Sequence, residues 1–181
     1  MAEPPLLIIA DRSHATRARA VLRRLPPMVG APLRLESVRG LRDRRGDVHA
    51  GSFVRERRIA LNCTRAEFPR IFVHELYHFV WLRAGNPVRR SYGELLRREG
   101  AAGARGELGW SAEWRKRTLK ARDWEARSQR WREYCCESFC DTAAWMYSGV
   151  ATHDEFTLRA HSRKRRKNWF EKKMVGGDLR I

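Results

Sequence analysis

Two histidines four residues apart, His74 and His78, flank Glu75 within residues 70–83, RIFVHELYHFVWLR. On a helix the i, i+4 spacing brings both imidazoles to one side, where their nitrogens converge on a single metal ion. Glu75, rotated off that axis, is placed to accept a proton from an attacking water. The surroundings make the point sharper. Phe72, Leu76, Phe79 and Val80 share one face, and Ile71, His74, His78, Trp81 and Leu82 share the other. A helix apolar on both sides is buried on both sides. Burying two imidazoles and a carboxylate without partners costs roughly 2 kcal/mol or more per group, and a metal ion removes that cost. The bland alternative is a pair of buried, hydrogen-bonded histidines.

Catalytic zinc uses three protein ligands and keeps one position open. Residues 79–88, FVWLRAGNPV, contain no histidine, which excludes the H-E-x-x-H-x-x-G-x-x-H arrangement. Residues 131–149, WREYCCESFCDTAAWMYSG, offer acids instead. At helical spacing Trp131, Cys135, Phe139 and Met146 form a core stripe, and Glu133, Glu137, Asp141 and Ala144 form another. Acids on a buried helix need a positive partner, whereas on an exposed helix they are a solvated face. If they meet the histidines, Glu137 becomes the third ligand, and Asp141 hydrogen-bonds the non-liganding nitrogen of His74. Glu133 is the rival ligand, with Glu137 behind it.

The combination H-E-x-x-H followed by E-x-x-x-D resembles the gluzincin pattern of zinc peptidases. Glu137, Cys140, Asp141 and Ala144 fall at four positions of a segment, E-x-x-A-N-x-F-A, that is similar to the ImmA/IrrE-type metallopeptidases. The upstream residues 57–72, RRIALNCTRAEFPRIF, look like the strand and lead-in of the same family. The resemblance implies a zincin-like fold, Zn²⁺ held by His74, His78 and Glu137, Glu75 as general base, and small bacterial enzymes that cleave transcriptional repressors. Asp141 stands where that family has Asn, Ala143 stands where Phe is usual, and the interval from His78 to Glu137 is longer than the family's.

These readings predict zinc-dependent peptide-bond hydrolysis, with a peptide or protein as substrate and a DNA-associated or regulatory protein as its natural form. The alternative is a non-catalytic, zinc-containing nucleic-acid-binding or regulatory protein. A peptidase also needs a donor for the tetrahedral oxyanion. Tyr147, His153 and His161 all follow the third ligand, and the sequence does not choose among them.

The elements that must position these groups read as α+β. A helix is expected from about Ser13, as N-cap, to Arg24, stopped by Pro26-Pro27. Strands are expected at residues 33–38 and 52–63, with RDRRGD, residues 42–47, as a hairpin loop between them. Residues 54–63 alternate weakly just before the metal helix, where the resemblance to zincins implies the edge strand that pairs with an extended substrate by backbone hydrogen bonds. That helix starts near Phe68, with Thr64 and Glu67 as a capping box, and ends at Gly85-Asn86-Pro87. GAAGARG, residues 100–106, reads as an exposed loop, and one long polar helix is expected from about Ser111 toward Gly149. The expected fold is a small, mostly antiparallel sheet backed by helices in a single domain over residues 1–181, with a helical insertion at about 88–130 and a basic C-terminal tail at about 159–173.

At 181 residues and 43% hydrophobic composition the chain suffices for one real core. No run approaches membrane-spanning length and the N-terminal apolar run lacks a basic lead, so a cytoplasmic protein without a membrane partner is expected. Cys63, Cys135, Cys136 and Cys140 lack a Cys-x-x-Cys spacing and read as reduced core residues rather than ligands. Lys and Arg total 38 against 21 Asp and Glu, a net charge of +17 with pI near 11.0. Such a surface attracts polyanions. Arg163, Lys164, Arg165, Arg166 and Lys167 are the densest run, with Trp169 and Phe170 beside it as rings that could stack on bases; a solvated tail explains the same residues without any partner.

Overall fold

The structure, a computed structural model, describes residues 6–10, 12–43 and 46–181, and among these the side chains of residues 12, 13 and 43 are not described. In chain order the elements are β1 (Leu7–Ile9), α1 (Arg12–Leu22), β2 (Met28–Val29), β3 (Leu33–Ser37), β4 (Arg42–Asp43), β5 (Gly46–Asp47), β6 (Ala50–Phe53), β7 (Arg58–Leu61), α2 (Phe68–Arg83), α3 (Asn86–Ala101), α4 (Trp110–Thr118), α5 (Ala121–Ala126), α6 (Gln129–Tyr147), α7 (Ala160–Met174) and β8 (Leu179–Arg180). The fold is α+β. The predicted N-cap at Ser13 lies outside the described side chains.

Four strands form the main sheet in the order β1-β3-β7-β6. The β1–β3 and β3–β7 pairings are parallel and only β6–β7 is antiparallel. The sheet is therefore mixed, which corrects the expected mostly antiparallel arrangement. Parallel neighbours need a crossover: α1 supplies it between β1 and β3, and the excursion through β4 to β6 separates β3 from β7. The strand expected over residues 52–63 breaks in two at a turn where Arg57 adopts φ 49°, and the amides of Glu56 and Arg57 bond back to Phe53 and Val54. Its second half, β7, lies inside the sheet with Ile59, Ala60 and Leu61 buried. The edge strand is its partner β6, not residues 54–63. Within the hairpin expected at 42–47, Arg42 pairs with Asp47 and Asp43 with Gly46, and residues 44 and 45 lie outside the described residues.

Helix α2 runs between the sheet and α6. It starts at Phe68, as the sequence indicates, with Pro69 in its first turn. Only half of the predicted capping box forms: Thr64 Oγ1 accepts from the Glu67 amide at 3.3 Å, but the Glu67 side chain goes to Arg70 and His153. The single helix expected from Ser111 to Gly149 is three. Leu119 is extended after α4, and Arg127 takes the left-handed conformation, φ 49°, after α5. Ser128 then caps α6, its side chain accepting from the Trp131 amide. Around α6 the rings of Tyr77, Trp81, Tyr92, Phe139, Trp169 and Phe170 pack edge-to-face and offset.

The expected basic tail is helix α7, docked on that cluster. Ser162, Arg166, Phe170 and Met174, four residues apart, are its buried stripe. Arg166 is fully buried between Glu99 and Glu107, so it cannot reach a phosphate. Arg163 donates to the carbonyls of Leu158 and Phe156. Trp169 packs on Tyr92 at 4.8 Å and donates to Ser91 Oγ, and Phe170 is fully buried, so neither ring is free to stack on a base. Lys164, Arg165 and Lys167 remain exposed.

Candidate metal centre

The sequence packs α2 against α6 through their apolar stripes, and this places the polar stripes of the two helices opposite one another at the edge of a cleft of about 910 Å³. His74, Glu75 and His78 from α2 and Cys136, Glu137 and Asp141 from α6 line it together. His74 Nε2 is 3.2 Å from His78 Nε2 and 3.3 Å from Glu137 Oε2. These three residues can bring one ligand atom each to within 4.8 Å of the others, a set that could hold a metal ion. Glu133, the rival ligand, is exposed and accepts from Gln129, so of the two acids Glu137 is the one beside the histidines.

Hydrogen bonds behind the imidazoles fix where their lone pairs point. His74 Nδ1 lies 2.7 Å from Asp141 Oδ1, as predicted, and His78 Nδ1 lies 3.4 Å from Cys136 Sγ. In the neutral tautomer in which each Nδ1 donates to its acceptor, the Nε2 lone pairs are turned toward the Glu137 carboxylate. Acceptors converge there, and a proton on an Nε2 or a metal ion in the same place would satisfy them. The charges around the site favour protons on the imidazoles. Burial would lower the His78 pKa, but the Cys136 hydrogen bond and the Glu137 charge hold it up at about 9. His74 is likewise raised well above its ordinary value, against burial, by Asp141. Glu137 is held far below the usual carboxylate range by both histidines and Arg115, again against burial. Cys136 is brought down to about 6 by the Cys140 hydrogen bond, opposed by burial and aided by His78.

A cation arriving here must displace protons from the histidines and none from Glu137, so apparent zinc affinity should climb as pH rises from 6.5 toward about 9. Competition titrations against a chelator across that range measure it. A flat profile would show that protons and metal do not share these nitrogens.

Asp141 is held by more than His74. Its Oδ2 accepts from the Ala112 amide at 3.2 Å, in the first turn of α4, where helix amides lack internal partners. Glu155 Oε2 accepts from the neighbouring Trp110 amide at 2.7 Å. Gly109 leads into that turn, and a Cβ there would land on the Asp141 carboxylate. Gly109→Ala should therefore push Asp141 off His74 and weaken zinc affinity about tenfold to a hundredfold with the fold retained. Unchanged affinity would show that Asp141 does not orient the imidazole.

Three further participants are absent from the sequence reading. Ser52, on the edge strand β6, lies 2.6 Å from Glu75 Oε2 and 2.7 Å from the Glu75 carbonyl oxygen. Arg115, on α4, lies 3.1 Å from Glu137 Oε1. Cys136, expected as core, lines the cleft as the partner of His78. Of the residues offered as oxyanion donors none lines the cleft: Tyr147 stacks on Tyr77, His153 bonds Glu67 and His161 is exposed at the start of α7. No disulfide forms among the four cysteines, and no described helix is long and apolar enough to cross a membrane. Comparison of the chain with protein-family models, curated proteins and solved structures finds no match.

Proposed function

We propose that the protein is a zinc-dependent peptidase with a zincin-like active site. One observation carries this reading: two imidazole Nε2 atoms and a carboxylate converge in an open cleft, with a second carboxylate, Glu75, beside them and the free edge of a sheet along the wall. His74, His78 and Glu137 would hold the ion, which when bound supplies Lewis-acid polarisation of the scissile carbonyl and acidifies a water. A purely structural site would close its fourth position with Cys or His and would have no use for Glu75.

The chain's own groups do the rest. Glu75 accepts the proton of the attacking water and returns it to the leaving amine. Ser52 fixes the Glu75 carboxylate, which ties the base to the strand that receives the substrate. That strand is β6: among the described residues no strand pairs with its outer edge, and Ala50, Gly51 and Ser52 line the cleft, so an extended peptide can add there by backbone hydrogen bonds. Arg115, already on Glu137, is the donor that the cleft offers to the developing oxyanion. The exposed remainder of the +17 charge would draw the protein to nucleic acid and so concentrate it where DNA-associated substrates sit.

The test pairs metal analysis with cleavage of unfolded polypeptide. About one zinc per chain is expected in the parent protein, lost in His74→Ala, His78→Ala and Glu137→Ala and retained in Glu133→Ala, with peptide cleavage following zinc content. Zinc retained when Glu137→Ala is combined with Cys136→Ser, or hydrolysis that persists in the metal-free protein, would sink the reading.

A further inference from the structure

Directly behind His78 lies a second set of donors. Cys136 and Cys140 sit one turn apart on α6, and their sulfurs together with a ring nitrogen of His78 all lie within 4.8 Å of one another. Neither thiol is in a disulfide. Cys136 lines the cleft and gives solvent a way in, while Cys140 closes the back of the set, fully buried. The His78 ring stands between the two donor sets: Nδ1 is 3.4 Å from Cys136 Sγ, and Nε2 is 3.2 Å from His74 Nε2.

We propose that Cys136, Cys140 and His78 Nδ1 form a second metal site, for a thiophilic cation, that competes with the His74–His78–Glu137 set for His78. Two thiolates and one imidazole are a recurrent ligand set for soft and borderline ions, and the fourth position opens toward the cleft. A neutral imidazole has one lone pair to give. When His78 gives Nδ1 to the thiolates, its proton moves to Nε2, which then points an N–H at the other site. That site loses a ligand. Loading releases the thiol protons to solvent and moves one proton across the His78 ring, with no redox change. Soft cations such as Cd²⁺ or Cu⁺ favour the sulfur set, whereas the nitrogen and oxygen donors in front gain nothing from softness. The consequence is an inhibitory site whose occupancy by a soft ion empties the hydrolytic one.

Zinc-loaded protein titrated with Cd²⁺ tests this, run in a Cys63→Ser background so that the other half-buried thiol is silent. Two signals are followed: thiolate-to-cadmium charge-transfer absorption, and zinc released to a chromogenic chelator. Neither depends on hydrolysis. The expected result is about one cadmium per chain with absorption that disappears in Cys136→Ser, accompanied by release of about one zinc. Glu137→Ala, which lacks a ligand of the front site only, should bind cadmium with the same absorption. Cys136→Ser alters a half-buried thiol and so avoids the packing change that Cys140→Ser brings at a buried position. Absorption that survives Cys136→Ser overturns the proposal, and so does cadmium that binds to the thiolates while all the zinc stays in place, since His78 would then not be shared.

Discussion

Glu75→Gln is expected to lower peptide hydrolysis by about two to four orders of magnitude while leaving zinc content at the parent level. Glutamine has nearly the shape of glutamate but cannot accept the water proton at pH 7. Its side-chain oxygen can still accept from Ser52, which lies 2.6 Å from Oε2 of Glu75, so the substituted group stays where the carboxylate was. The three groups that converge on the metal position, His74, His78 and Glu137, are untouched. Single-turnover cleavage of an unfolded polypeptide, with zinc measured on the same samples, reads both quantities. Parent-level cleavage by the zinc-loaded variant would remove Glu75 from the chemistry. Loss of zinc would instead make it a structural support for the ligands.

The largest effect on stability is expected at Arg166. Its Nε and Nη2 donate to Glu99 Oε2 at 2.9 and 2.7 Å, and its Nη1 and Nη2 donate to Glu107 at 2.6 and 3.1 Å. All three side chains are buried, and Lys116 and Tyr134 complete the satisfaction of Glu107. Arg166→Met would take the guanidinium from both buried carboxylates and leave Lys116 as the cation on Glu107. Removing one partner of a buried ion pair costs roughly 3–5 kcal/mol, because the remaining charge stays desolvated. For a chain of this size that is a fall in Tm of about 10 °C. Lys164→Gln, Arg165→Gln and Lys167→Gln, on the exposed side of the same helix, should each stay within about 0.5 kcal/mol. Thermal unfolding of the four variants separates a structural arginine from a solvated run; equal small shifts in all four would refute the network's importance.

Arg166 also shows why part of the fold was not legible. Ser162, Arg166, Phe170 and Met174 are a buried stripe at spacing four, but two of its members are polar and stand among exposed lysines and arginines, so composition reads as tail. Their partners, Glu99 and Glu107, lie about sixty residues upstream, beyond any local pattern. Helix α2 was legible because Pro69 marks its start, Gly85-Asn86-Pro87 follows its end and its body is apolar. The pairing of α2 with α6 was legible because only a positive partner excuses acids on a buried face. Strand order was not: residues 52–63 look continuous, and nothing local reveals that the chain turns at Arg57 and folds β6 back along β7 as the outer strand. Ser52 and Arg115 were missed for the same reason, since a serine in a strand and one arginine among many carry no spacing signal. Cys136 had a signal, its place beside Glu137, which a reading of cysteines as core filler passed over.

The unpaired edge of β6 has a second consequence. A row of free amides and carbonyls accepts any strand, including one from another copy of the same chain, and open edges of this kind are where folded proteins begin to aggregate. Here the strand is four residues long and forms one wall of the cleft, across from Trp110 and Trp114 on α4. A flexible, extended chain can thread into that space, whereas the rigid edge of a second folded molecule would have to pass α4 and bring another +17 charge with it. On the proposed reading the cleft would act as a filter on the state of the visitor, admitting polypeptide that is locally unfolded and turning away the folded protein's own surface.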